Sequence, residues 1–215
     1  MKLRRIELDF SADDIPGPAQ DLIADANARV DAFIDAHRDQ PIAGFVPSDF
    51  TLAYAALRQI RRSLLASGDA LCEWGSGLGA VACLAGMLGY DAVGIEIDPD
   101  LFDEAERLAR DHDAPAQFVC GSFIPPGGER LTDQCGEVAW LMPGGADAYQ
   151  ELGLDADDFD VIYAYPWPGE EKPIDDLFLR YAAVGALLVT YHGIDDIRVQ
   201  RKVAKQVGRW VSSPS

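Results

Sequence analysis

The sequence predicts a three-layer, doubly wound α/β domain on a mostly parallel sheet, with a helical extension at its N-terminus. Three observations carry the prediction. The chain has 215 residues, 48% of them apolar and 25% charged, enough to bury roughly 70% of the surface of the unfolded chain around a core. From Gly68 onward, short apolar runs alternate with stretches of helical periodicity, a pattern that lays parallel strands side by side and covers both faces with helices. A glycine-rich turn, Gly75 to Gly79, follows the first apolar run directly and opens the first of those helical stretches.

Residues 1–44 read as the extension. Leu22, Ile23, Ala26, Val30, Phe33 and Ile34 recur at helical spacing between Pro18 and Pro41, with acidic residues on the other face. Residues 45–215 read as the main domain. Its leading helix is expected to begin at Ser48, a favourable N-cap. It would turn Leu52, Ala56, Leu57, Ile60 and Leu64 inward and Arg58, Arg61 and Arg62 outward. The expected strands are then 70–73, 91–97, 117–120, 159–163 and 186–191. The helices between them run from the glycine turn to about residue 88, from Pro99 with Leu101, Ala105, Leu108 and Ala109 inward, and over 174–183. An insertion at 121–158, rich in Gly, Pro and Asp, is longer than an ordinary connection, and Trp140, Leu141 and Met142 are candidates to dock it. The basic C-terminal stretch is expected to finish the sheet as a hairpin of 198–199 against 210–211.

Charge narrows the function. Thirty-six acidic against 18 basic side chains leave a formal net charge of −18. Affinity for a phosphate backbone rests on Lys and Arg, so the balance argues against a nucleic-acid partner. Cys72, Cys83, Cys120 and Cys135 show neither a C-x-x-C spacing nor histidine neighbours, which predicts no metal centre and reads as thiols of a reducing cytoplasm. Lys2, Arg4 and Arg5 are followed by Glu7, Asp9, Asp13 and Asp14 rather than by an apolar run. No stretch approaches 18 uninterrupted apolar residues, so neither a secretion signal nor a membrane span is expected.

The sharpest signal is Glu73-Trp74-Gly75-Ser76-Gly77-Leu78-Gly79, between a strand and a helix. Glycines there let the backbone turn tightly and come close to a ligand, and the helix N-terminus behind them presents free N–H donors. Seventeen residues past Gly79, Glu96 closes the second strand, where a carboxylate suits the two hydroxyls of a ribose. A tight turn without a ligand is the plain alternative. The same stretch through Ala80 also satisfies the dinucleotide pattern G-x-G-x-x-G/A.

This stretch resembles motif I of the class I (seven-strand, Rossmann-like) S-adenosylmethionine-dependent methyltransferases, and Gly94-Ile95-Glu96-Ile97-Asp98 resembles their strand-two motif. The resemblance spans residues 45–193 and implies a Rossmann-like methyltransferase fold with S-adenosyl-L-methionine as cofactor. It implies that Glu73, Gly75, Gly77 and Gly79 border the methionine part, that Ser76 between them belongs to the same cofactor site, that Glu96 holds the ribose, and that Ile97 packs on adenine. Glu73 precedes the first glycine by two residues, where a negative charge suits an ammonium group and repels a pyrophosphate. Where the family commonly has Gly-Asp, this chain has Gly121-Ser122-Phe123, so adenine recognition falls to the Ser122 hydroxyl, backbone groups or Phe123. Phe45-Val46-Pro47-Ser48 is similar to an aromatic-Val-Pro-Thr/Ser segment that folds over the cofactor in certain small lysine methyltransferases. It reads equally as a hydrophobic staple for the next helix.

In that family the loop after the fourth strand faces the methyl group, often with Asn/Asp-Pro-Pro-Tyr/Phe in amino-directed members. Here it reads Tyr165-Pro166-Trp167-Pro168, which keeps the first proline and loses the polar residue, so a nucleic-acid adenine is disfavoured as acceptor. Tyr163, Tyr165 and Trp167 can narrow an acceptor channel and face a cation. His192, at the end of the fifth strand, is a candidate base or substrate ligand. Glu170 and Glu171 read as a solvated acidic turn, and Trp74, Trp140 and Trp210 as core or docking residues. The expected function is methyl transfer to an unidentified acceptor, a protein lysine or a small-molecule amine. The alternatives are an NAD(P)-dependent oxidoreductase, for which no Tyr-x-x-x-Lys dyad follows the fourth strand, and a non-catalytic S-adenosylmethionine-binding protein.

Overall fold

In a computed structural model of the chain, which describes residues 1–38, 45–132, 141, 144–193 and 196–205, the apolar runs form one seven-stranded sheet. The strands are β1 (Lys2–Ile6), β2 (Ala70–Trp74), β3 (Asp91–Glu96), β4 (Ala116–Cys120), β5 (Val161–Ala164), β6 (Leu187–Tyr191) and β7 (Ile197–Val203), in the order β1-β7-β6-β5-β2-β3-β4. Only β7 is reversed; it pairs antiparallel with both β6 and β1, while β2 to β6 are joined by parallel ladders. The chain winds outward from β2 through β3 to β4, then returns to the other side of β2 for β5 and β6. That reversal between β2 and β5 opens a crevice beyond the C-terminal ends of the strands.

Strand alternation divides the core into two layers. Leu71, Tyr163, Val161, Leu187 and Val189 face helices α1 (Gly17–Ala36), α2 (Phe50–Arg62), α3 (Ala80–Met87) and α4 (Pro99–Asp111). Cys72, Ile95, Ile162, Ala164 and Leu188 face α6 (Ala148–Leu152) and α7 (Glu171–Tyr181), which follow a short α5 (Glu129–Thr132). Helix α4 starts as expected, with the Asp98 carboxylate accepting from the Asp100 and Leu101 N–H groups and Pro99 in its first turn.

Four expectations need correction. The N-cap of α2 is Asp49, whose carboxylate accepts from Leu52 N at 3.0 Å; the Ser48 hydroxyl is engaged instead by the Tyr163 hydroxyl at 3.0 Å. Leu64 lies past the end of α2, at φ 49° and almost wholly exposed, rather than in the core. The N-terminal segment is more than a helical extension, because β1 is an edge strand of the sheet. Arg58 also ties the following loop down by donating to the carbonyls of Ser11, Asp13 and Asp14. Finally, β7 finds its second partner in β1, whereas residues 210–211, expected to pair there, lie outside the described residues, as do Pro41, Cys135, Trp140, Met142 and Trp210.

Basic residues of β7 work as internal staples. Arg201 donates to the carbonyls of Gly185 and Leu65, and the buried Lys202 ammonium donates to the Ala182 carbonyl beyond α7. The described part of the insertion lies along β4: Ser122 bridges to Asp147, which caps α6, and Ala148 and Tyr149 are buried in the second layer. Cys72, Cys83 and Cys120 are free thiols, and burial pushes the Cys83 thiol up to about 12. Among the described residues, no helix is long and apolar enough to cross a membrane.

Candidate cofactor and acceptor site

The crevice holds a cavity of about 440 Å³ at the ends of β2, β3 and β5. Its floor is the glycine turn. The N–H groups of Gly75 and Ser76 both donate to the Ile95 carbonyl, at 3.0 and 2.9 Å, which anchors the turn to β3. Gly77 adopts φ 54° and lies under the Phe45 ring, 3.2 Å from where a β-carbon would sit. Gly79 faces away from the cavity: at φ 73°, a β-carbon there would lie 2.4 Å from Phe118 and 2.7 Å from Ala105. Its role is to let α3 approach the sheet.

Two buried carboxylates flank this turn. Glu96 accepts from Gly77 N at 2.7 Å through one oxygen, and from Ile97 N and Asp98 N at 2.8 and 2.9 Å through the other. Burial raises its pKa against the pull of these three N–H donors. Glu73 accepts from Ala82 N at 2.8 Å. Burial pushes its carboxyl well above the ordinary range, and the neighbouring Glu96 charge adds to the shift. The Ser76 hydroxyl is buried beside them and has no hydrogen-bond partner among the described residues.

The walls are aromatic. Tyr163 stands on β5 with its hydroxyl on Ser48; Tyr165 packs edge-on against Tyr191 at 4.9 Å; Trp74 stacks on Phe123 at 5.3 Å. Phe45, Ile97, Phe123, Tyr163, Tyr165 and Trp167 all line the cavity, with Glu73, Gly75, Ser76, Gly77 and Glu96.

Three expected site residues do not line it: Gly79, Ser122 and His192. The Ser122 hydroxyl accepts from Ile124 N, and its backbone N–H donates to the Ala146 carbonyl. His192 Nε2 lies 2.8 Å from the Thr190 hydroxyl, while its N–H donates to the Asp196 carbonyl. Burial, then the nearby Arg198, lowers the His192 pKa.

No family model matches the chain, and no curated protein matches its sequence. Its structure is similar to that of an RNA methyltransferase from Salinibacter ruber in complex with S-adenosyl-L-homocysteine, with a TM-score of 0.51 at 17% identity, over 78% of this chain and 100% of that one. This is the class I methyltransferase fold. A further similarity, to the CcbJ methyltransferase from Streptomyces caelestis, has a TM-score of 0.43 at 19% identity and covers 70% of this chain and 54% of that one.

Within the methyltransferase fold, sequence reasoning left many lining residues unassigned to the site, Trp74, Asp98, Leu141 and Glu170 among them. Trp74 was legible as a neighbour of Gly75 but reads as core. Asp98 shows itself only as a helix cap. Leu141 and Glu170 reach the cavity through long-range packing that leaves no local pattern. Glu170 also departs from the expected solvated turn, being only 4% exposed.

Proposed function

We propose that this chain transfers a methyl group from S-adenosyl-L-methionine to an acceptor nucleophile. The observation that carries the reading is the charge of the cavity: Glu73, Glu96, Asp98 and Glu170 line it, and no Lys, Arg or His does so among the described residues. A dinucleotide pyrophosphate would enter this site without a counter-charge, whereas a ligand bearing a sulfonium and an ammonium is favoured.

The residues present fit that ligand. Glu96 keeps about one lone-pair site, on the oxygen that meets Gly77 N, for a ribose hydroxyl after accepting three N–H bonds. Glu73 can receive the ammonium, the unpartnered Ser76 hydroxyl gains the partner it lacks, Ile97 offers an apolar face to adenine, and Phe45 covers the glycine turn. When bound, the cofactor supplies an electrophilic methyl carbon activated by its sulfonium. Tyr163, Tyr165 and Trp167 then have the task of excluding water and aligning the acceptor in line with that carbon, from which most of the acceleration can come. His192 has no place in this step, its ring being held by Thr190 outside the cavity. An amine, on a protein lysine or a small molecule, suits the aromatic walls and the acidic lining. The Salinibacter ruber protein acts on RNA, but the charge of this chain and cavity opposes a phosphate backbone.

Calorimetry with S-adenosylmethionine, S-adenosylhomocysteine and NAD tests the reading. Both adenosyl ligands are expected to bind, with affinity at least tenfold weaker in Glu96→Gln; binding of NAD alone would overturn it. Methyl-labelled cofactor incubated with a cell lysate would show whether label enters protein or small molecules.

A further inference from the structure

Among the described residues Glu170 is the most buried acid, and it sits where the loop after β5 meets α7. One oxygen accepts from Trp167 N at 3.1 Å, while Glu170 N donates to the Trp167 carbonyl at 2.8 Å, closing a two-way ring across residues 167–170. The other oxygen accepts from Leu141 N at 2.9 Å, 29 residues away in the chain. A single carboxylate thus joins three pieces of the acceptor end: the Tyr165–Trp167 loop, the insertion at Leu141, and the start of α7. Among the described residues, its neighbour Glu171 caps Gly169 N from the exposed side and makes no such link.

We infer that Glu170 is a positioning residue that sets the width of the acceptor channel by clamping the Trp167 loop to the insertion. This rests on the methyl-transfer reading. A buried carboxylate accepting two backbone N–H bonds is stronger than neutral pairs, and losing it leaves both donors unsatisfied away from water. The two segments it joins would then separate by main-chain motion, widening the channel without touching the glycine turn. A glutamine keeps the shape but can accept only through its carbonyl oxygen and sets an amide donor against one of the N–H groups.

The test uses the full chain as wild type, Glu170→Gln and Glu170→Ala. Hydrogen exchange at the amides of Leu141 and Trp167 should quicken at least tenfold in both variants, with exchange in β2 and β5 unchanged. Because Glu170 also adds to the negative charge of the cavity, affinity for S-adenosylhomocysteine should fall in both variants, but by less than label transfer from S-adenosylmethionine to lysate acceptors, which drops at least tenfold. Unchanged exchange at the two amides overturns the clamp. A loss of S-adenosylhomocysteine affinity in step with transfer overturns its restriction to the acceptor side. If the wild type binds no adenosyl ligand, the functional reading fails by itself while the exchange result still decides the clamp. Should the alanine variant not fold, the glutamine variant carries the test.

Discussion

Single side chains in the glycine turn divide the labour between ligand and framework. Gly77 lies beneath Phe45 on the cavity side, whereas Gly79 is pressed against Phe118 and Ala105. The two would look alike in sequence, yet they should respond differently to the same change. Gly79→Ala forces a β-carbon to 2.4 Å from a ring carbon at φ 73°, and should destabilise the fold by about 3 kcal/mol through overpacking and backbone strain. A thermal melt would show it, and a variant as stable as the parent would contradict the packing role. The same contrast explains why the third glycine of the motif, though part of the pattern, contributes nothing to the cavity lining.

At the scale of elements, α1 is coupled to the site through a chain of rings. Phe33 on α1 meets Phe45 edge-on at 5.3 Å, and Phe45 in turn covers Gly77. Ion pairs hold the helix in place: Arg29 bonds to Asp25 and Asp111, and His112 Nε2 lies 2.9 Å from Asp25. Phe33→Ala removes a buried ring and should cost about 3 kcal/mol of stability. It should also weaken S-adenosylhomocysteine binding, because Phe45 loses its backing. Calorimetry would separate the two effects; unaltered affinity in the destabilised variant would mean that Phe45 keeps its place without α1.

Across the whole molecule, charge sets the response to pH. Burial raises the folded pKa of Glu73, of Glu96 and of Asp175, the last to about 6 with Asp176 adding to the shift. Each holds its proton to higher pH in the fold than in the unfolded chain. Stability from these three is therefore fully present below their unfolded values and is lost as pH rises through the folded ones. His192 runs the other way: its lowered pKa gives stability present above its unfolded value of 6.5 and lost as pH falls through the folded one. Asp25, lowered by its hydrogen bond from Arg29, also loses its contribution in acid. With three raised carboxylates and a net charge of −18, the melting temperature should be higher at pH 5 than at pH 7.5, and added salt should raise it at pH 7.5. A melting temperature that climbs from pH 5 to pH 7.5 would contradict this balance.

What the sequence determined by itself is whatever short-range chemistry dictates. Period-two and period-3.6 apolar patterns placed the five central strands and the helices between them. The Glu73–Gly79 stretch and Glu96 announced a glycine turn between acids, because turn geometry and strand ends are written in neighbouring residues. Tertiary structure alone decided the rest. The strand Lys2–Ile6 is recognisable only once β7 offers it an edge. Asp49 caps α2 because Tyr163, 115 residues from Ser48, engages that hydroxyl. His192 was judged by its place at a strand end, and Glu170 by its polar neighbours; one proved to be held outside the cavity and the other buried within its wall. Partners distant along the chain meet only when the sheet is assembled, so a side chain's burial and hydrogen bonds at such points are properties of the packed molecule and leave no trace in the local pattern.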